Sequence, residues 1–181
     1  VRYDYVAALA AKYQPETILE VGTWNGRRAV EMLTAAPKAR YYGFDLFEEA
    51  TEETDAAEMN VKKHHSLRGV HSYLLEALGP EREITLIRGN TRKTLAEFNE
   101  SVDFAWIDGG HSVETIRSDW DNVRRVIKPG GVVLFDDYYS DDIDTSKFGC
   151  NSIVKDWDHV VVCAPDPVLG GGTVRIARVY V

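Results

Sequence analysis

Cysteine is scarce in this chain: two among 181 residues, Cys150 and Cys163, 13 positions apart. No C-x-x-C pair or other metal-ligand spacing exists, so neither a disulfide framework nor a zinc knuckle is indicated, and a reduced, cytoplasmic setting fits. No apolar run approaches the ~20 residues of a spanning helix. Val1 to Tyr13 lacks the basic start, apolar centre and small-residue cleavage site of a signal peptide. Basic residues are also few: 21 Lys and Arg against 29 Asp and Glu give a formal net charge of −8. That balance argues against duplex nucleic acid or an anionic membrane as partner. There is no internal repeat, no Ser/Gly linker and no boundary, so residues 1–181 read as one domain.

What is present is an ordinary globular composition, 44% hydrophobic and 28% charged, which excludes general disorder. Short apolar runs occur at Thr17–Gly22, Tyr41–Leu46, Ile84–Arg88, Val102–Asp108, Val132–Asp136, His159–Ala164 and Thr173–Val181. Most of the first five are apolar at nearly every position, as strands buried on both faces are. Helical periods lie between them. Val113, Ile116, Trp120, Val123 and Ile127 step by three and four until Lys128-Pro-Gly-Gly131 stops the helix. Val6, Leu9, Ala10 and Tyr13 do the same before Pro15. Strand and helix in alternation predict a doubly wound α/β fold with a parallel sheet. The last two runs are too close for a crossover helix and predict an antiparallel hairpin at one edge, making seven strands with one reversed. Phe47–Leu78 is longer than one crossover requires. From Asp45 to Glu58 the chain carries seven acids and no base, then turns basic at Lys62, Lys63 and Arg68. A solvated helix pair explains this stretch, and a flap over a site is the alternative.

Chemistry concentrates at the strand ends. Ile18-Leu-Glu-Val-Gly-Thr-Trp-Asn-Gly26 is a strand running through a glycine turn into a helix, where a ligand can approach the backbone closely. A plain turn is the alternative. The spacing is not the G-x-G-x-x-G that seats a pyrophosphate, so the loop suits a ligand without phosphate. Asp45, 23 residues after Gly22, can accept from both hydroxyls of a ribose or cap the next helix. Asn90 can meet an adenine edge or serve as an N-cap. Asp108, Asp136 and Asp137 finish two apolar strands and should meet at the carboxyl edge of the sheet. Three such carboxylates repel unless protonated, paired or bound to a cation such as Mg²⁺. Pairing with Arg or Lys, or helix capping, is the rival explanation.

Glu20-Val-Gly22 with Gly26, Asp45, Asn90, Ile107-Asp-Gly-Gly-His111, Lys128-Pro-Gly-Gly131 and Phe135-Asp-Asp-Tyr138 together resemble the class I S-adenosylmethionine-dependent methyltransferases. The likeness is greatest to the metal-dependent small-molecule O-methyltransferases of catechol and macrolide or aminocoumarin sugar type. It spans Thr17 to Tyr138 and implies a Rossmann-like fold whose reversed last strand is the final hairpin. The resemblance implies that Glu20, Gly22 and Gly26 line the methionine and ribose of the cofactor. Asp45 would hold the ribose diol and Asn90 would lie near adenine. Asp108, Asp136 and Asp137 would bind Mg²⁺, with Asp108 also at the cofactor and in catalysis. The ion would chelate and acidify a hydroxyl of a small acceptor. His111 would be the general base, since imidazole titrates near neutrality, or would only order its loop.

Other residues read as structural. Trp106 and Trp120 suit the core, while Trp24, Tyr138 and Tyr139 either pack or line the pocket. His64, His65 and His71 read as solvated, and Gly170-Gly-Gly172 as a hairpin turn. Only about 16 residues precede the first strand, fewer than the resembling enzymes use to cover the acceptor. An open site suits a large acceptor or a homo-oligomer that closes it. A nicotinamide-dependent oxidoreductase and a non-catalytic nucleoside-binding relative are the competing classes.

Overall fold

The computed structural model describes residues 2–163 and 165–181. Val1 and Ala164 lie outside the described residues, and with Ala164 the expected end of the sixth apolar run. Up to residue 126 the chain alternates helix and strand, with two helices in succession after the second strand. In order these are α1 (Asp4–Tyr13), β1 (Thr17–Val21), α2 (Arg27–Ala35), β2 (Arg40–Asp45), α3 (Glu52–Ala57), α4 (Leu67–Leu78), β3 (Ile84–Arg88), α5 (Thr91–Glu97), β4 (Val102–Ile107) and α6 (Val113–Val126). The remainder comprises β5 (Ile127–Tyr139), α7 (Asn151–Val154), β6 (His159–Val161), β7 (Asp166–Pro167) and β8 (Thr173–Tyr180).

The strands form one sheet in the order β3-β2-β1-β4-β5-β8-β6. Pairings among β1 to β5 are parallel, and β8 runs antiparallel to both β5 and β6. The expected hairpin at one edge is therefore present. An eighth strand, the two-residue β7, pairs with β8 inside the stretch read as hairpin connection.

Successive side chains of a strand face opposite sides, and the core divides accordingly. Leu19, Val21, Ala105, Ile107, Val133 and Phe135 pack on one face beneath α5, α6 and α7. Ile18, Phe104, Trp106, Val132 and Leu134 pack on the other beneath α1, α2 and α4. Burial on both faces is why these strands carry continuous apolar runs. Trp106 and Trp120 are core residues, as expected.

The pairing of β5 is irregular at two places. Ile127 already pairs with Val102, so the strand begins before Lys128-Pro-Gly-Gly131, which forms an outward shift of register before Val132 meets Phe104. A second shift lies between Phe135 and Tyr138, and it contains Asp136 and Asp137. The expected strand Val132–Asp136 thus continues past its acids to Tyr139.

Candidate functional site

The strand order reverses direction between β1 and β4, and open α/β sheets bind ligands in the crevice at such a point. Gly22 and Asp108 flank it. Gly22 has φ +90°, and a Cβ added there would sit 2.0 Å from the Asp108 carbonyl oxygen. The Asp108 amide donates to the Val21 carbonyl at 2.9 Å. Only glycine allows the two strand ends to approach this closely.

A cavity of about 530 Å³ opens from this crevice, within the usual range for a small-ligand site. Gly22, Asp45, Asn90, Asp108 and His111 all line it. Asp45 accepts the Trp24 amide at 2.8 Å on one oxygen and the Phe47 amide at 2.7 Å on the other. Each oxygen keeps a further lone pair for a ligand hydroxyl. Asn90 caps α5 by accepting from the Arg92 amide, and it also borders the cavity.

Two residues grouped with these by resemblance stand off the wall. Glu20 is fully buried in β1, where it accepts a hydrogen bond from the Tyr41 hydroxyl. Burial pushes its carboxyl up to about 8. Gly26 faces α4, where an added Cβ would meet Leu74 and Val70 at 3.0 and 3.1 Å. It serves helix packing.

The acidic stretch after β2 forms a further wall. Thr54, Asp55, Glu58, Asn60, Lys62 and His64 border the cavity, which is the flap arrangement. Its fastening is Glu58, which accepts from the Ser112 amide (2.8 Å), the Ser112 hydroxyl (3.1 Å) and the Thr115 hydroxyl (2.5 Å) at the start of α6. Gly110 leaves room for it, since a Cβ there would lie 2.7 Å from Glu58 Oε2. His64, read as solvated from sequence, instead lies 2.7 Å from Asp55 through Nε2. Asn60 and then His64 hold the Asp55 carboxyl below its ordinary value. Trp24 donates its indole N–H to the Lys63 carbonyl at 2.8 Å, joining flap and glycine loop.

His111 connects flap and acids. Its Nδ1 lies 2.8 Å from the Glu58 carbonyl. A carbonyl only accepts, so Nδ1 carries the proton and Nε2 keeps its lone pair in the neutral ring. That Nε2 is 3.7 Å from Asp137 Oδ2.

Asp108, Asp136 and Asp137 lie close enough at the carboxyl edge to act on one another electrostatically. Desolvation raises the Asp108 carboxyl well above its ordinary value, and the neighbouring Asp136 raises it further. Asp137, at φ +60° in the register shift, is raised by the same two causes. The Tyr139 hydroxyl donates to it at 3.1 Å. Asp136 is engaged differently. Arg2 donates from Nε to Oδ1 at 2.8 Å and from Nη2 to Oδ2 at 2.9 Å, and the Tyr3 hydroxyl donates to Oδ2 at 2.9 Å. Among the described residues no group of three His, Cys, Asp or Glu side chains is arranged to hold a metal. The Mg²⁺ set expected from sequence therefore does not fit these residues: both oxygens of one member already serve a guanidinium. Of the explanations open at the sequence level, pairing with arginine describes Asp136.

Sequence reasoning singles out neither Arg2 nor Tyr3, and gives Glu58, Lys62 and His64 no individual role in the site. The acid-to-base switch around Lys62 was the only signal, and nothing local marked Arg2.

Residues 19–138 match the family model for a methyltransferase domain, and the chain belongs to that family. The sheet order and reversed β8 are those of the class I fold. No curated protein matches the chain. Among solved structures it is similar to cofactor-bound Rv0187 from MTB, with TM-score 0.69 and 16% identity over 98% of this chain and 78% of that one. It is also similar to the O-methyltransferase TomG from Streptomyces achromogenes, involved in tomaymycin synthesis and solved with SAM (TM-score 0.65, 17% identity, 99% and 79% coverage). A Bacillus cereus O-methyltransferase in complex with SAH gives TM-score 0.67 and 16% identity, with 99% and 80% coverage. At these identities the likeness is one of fold.

Proposed function

We propose that this protein is an S-adenosylmethionine-dependent methyltransferase that methylates a hydroxyl of a small molecule. The observation that carries the reading is the convergence of Gly22, Asp45, Asn90, Asp108 and His111 on one cavity at the switch point of the sheet. The SAM of the TomG structure and the SAH of the Bacillus cereus structure support the cofactor assignment. In this reading Gly22 lets the methionine portion lie against the backbone. Asp45 accepts from the ribose hydroxyls, Asn90 meets the adenine, and Asp108 faces the sulfonium end. Glu20 and Gly26 act from behind, through Tyr41 and the α2–α4 contact.

The transfer is an in-line displacement. S-adenosylmethionine, when bound, would supply an electrophilic methyl group and leave as S-adenosylhomocysteine, while His111 Nε2 would take the proton of the acceptor hydroxyl. Alignment of oxygen, carbon and sulfur supplies much of the acceleration, and proton removal adds roughly 10²–10⁴. Asp136, held by Arg2 and Tyr3, does not offer the magnesium site that the resemblance implies. The free thiols of Cys150 and Cys163 support a cytoplasmic setting. Among the described residues no helix is long and apolar enough to cross a membrane.

Calorimetric titration with S-adenosylhomocysteine, with NADH as control, tests this. Micromolar binding of the first and none of the second is expected. Binding of NADH alone would favour the oxidoreductase. Binding of S-adenosylhomocysteine without methyl transfer to any hydroxylated acceptor would favour a non-catalytic relative.

A further inference from the structure

Asp136 is only 2% exposed at its side chain and Arg2 only 15%. Their contact is bidentate, the geometry in which a guanidinium matches a carboxylate. Two further N–H groups of Arg2 are engaged. Nη1 reaches Asp166 Oδ2 at 3.2 Å, and Nη2 donates to the Tyr3 hydroxyl at 2.8 Å. Two guanidinium carbons lie over the Tyr3 ring, those of Arg2 at 4.4 Å and Arg28 at 4.3 Å. The ring also meets Trp106 edge-on at 6.3 Å. Arg2 and Tyr3 immediately precede α1, which is anchored in the core by Val6 and Ala10. The cation is thus built into the fold at the acid cluster, where a divalent ion would need the same oxygens.

We infer that Arg2 is the resident cation of this acid cluster, a positioning residue that holds Asp136 and Tyr3 in place and makes the site independent of a divalent metal. Three clustered carboxylates require a positive charge or a proton, and a guanidinium supplies the charge without open coordination positions. The consequence for substrate class rests on the methyltransferase reading. A metal site selects acceptors with two adjacent oxygens that chelate. A guanidinium-closed site imposes no such demand, so the acceptor is a molecule presenting a single hydroxyl as readily as a vicinal diol.

The test is titration of MgCl₂ and MnCl₂ into the wild type, Arg2→Gln and Arg2→Lys, with S-adenosylhomocysteine titrated separately into each. The wild type should bind neither cation at submillimolar concentration. Arg2→Gln, which keeps a polar amide donor but removes the charge and the bidentate fork, should bind at least about tenfold more tightly, a gain abolished by adding Asp136→Asn. Arg2→Lys should restore the wild-type refusal. Micromolar Mg²⁺ binding by the wild type that is lost in Asp136→Asn overturns the inference, and this arm needs no Arg2 variant to fold. A folded Arg2→Gln protein with no gain in cation binding overturns it too. Failure of S-adenosylhomocysteine to bind would remove the methyltransferase reading while leaving the cation result to decide the role of Arg2.

Discussion

Tyr41 donates its phenolic proton to Glu20 across the β1–β2 pair, and neither residue reaches the surface. Burial lifts Glu20 from 4.5 to about 8, so the folded protein holds a proton that the unfolded chain releases. Stability on this account is greatest below about pH 4.5, falls as pH rises and levels off above about 8. At roughly 1.4 kcal/mol per unit the loss is at most on the order of a few kcal/mol. Asp119, also fully buried, is pushed by burial to about 7 and adds a fall of the same sign. Urea midpoints at pH 5.5 and 8.5 should lie closer together in Glu20→Gln, and in Asp119→Asn, than in the wild type. Unchanged gaps would refute the assignment.

Gly22→Ala and Gly26→Ala should separate a site glycine from a packing glycine. The first drives a methyl into the Asp108 carbonyl and is expected to cost about 2–4 kcal/mol and abolish S-adenosylhomocysteine binding. The second meets only side chains of Leu74 and Val70, though at φ +80°, so about 1–2 kcal/mol is expected, with binding retained. Equal effects on binding in the two would contradict the geometry.

Glu58→Ala removes the three hydrogen bonds that fasten the flap to α6. Amide exchange should quicken over residues 52–64 while the strands stay protected. The fold should lose about 1–3 kcal/mol. Unchanged exchange in the flap would mean that Glu58 does not hold it.

His111→Asn keeps a donor toward the Glu58 carbonyl but removes the base. Methyl transfer should fall by roughly 10²–10⁴ in kcat with S-adenosylhomocysteine affinity intact. A weakened affinity at unchanged kcat would reassign His111 to cofactor binding.

Features written in local periods were legible before folding. The apolar runs from Thr17 to Phe135 repeat every residue because both faces of the sheet are covered, and the three-and-four steps of α6 mark its buried stripe. The strand ends were legible for the same reason: Gly22, Asp45, Asn90 and Asp108 follow apolar runs, and parallel strands bring such ends to one edge. The apolar run from Val132 stops short of the end of β5, because a register shift is a matter of pairing with β8 and leaves no mark in the run itself.

What depends on contact between distant segments was decided only in three dimensions. Arg2 and Asp136 are separated by 134 positions, and neither neighbourhood announces the other. The acids at 108, 136 and 137 declared a need for positive charge, and local spacing was equally compatible with a metal or an arginine. Docking of α1 on the sheet chose the arginine, just as the fold brought Glu58 to Ser112 and turned an acidic run into a wall. Periodicity specifies which face is buried; the identity of a partner across the fold is set by which surfaces the completed packing brings together.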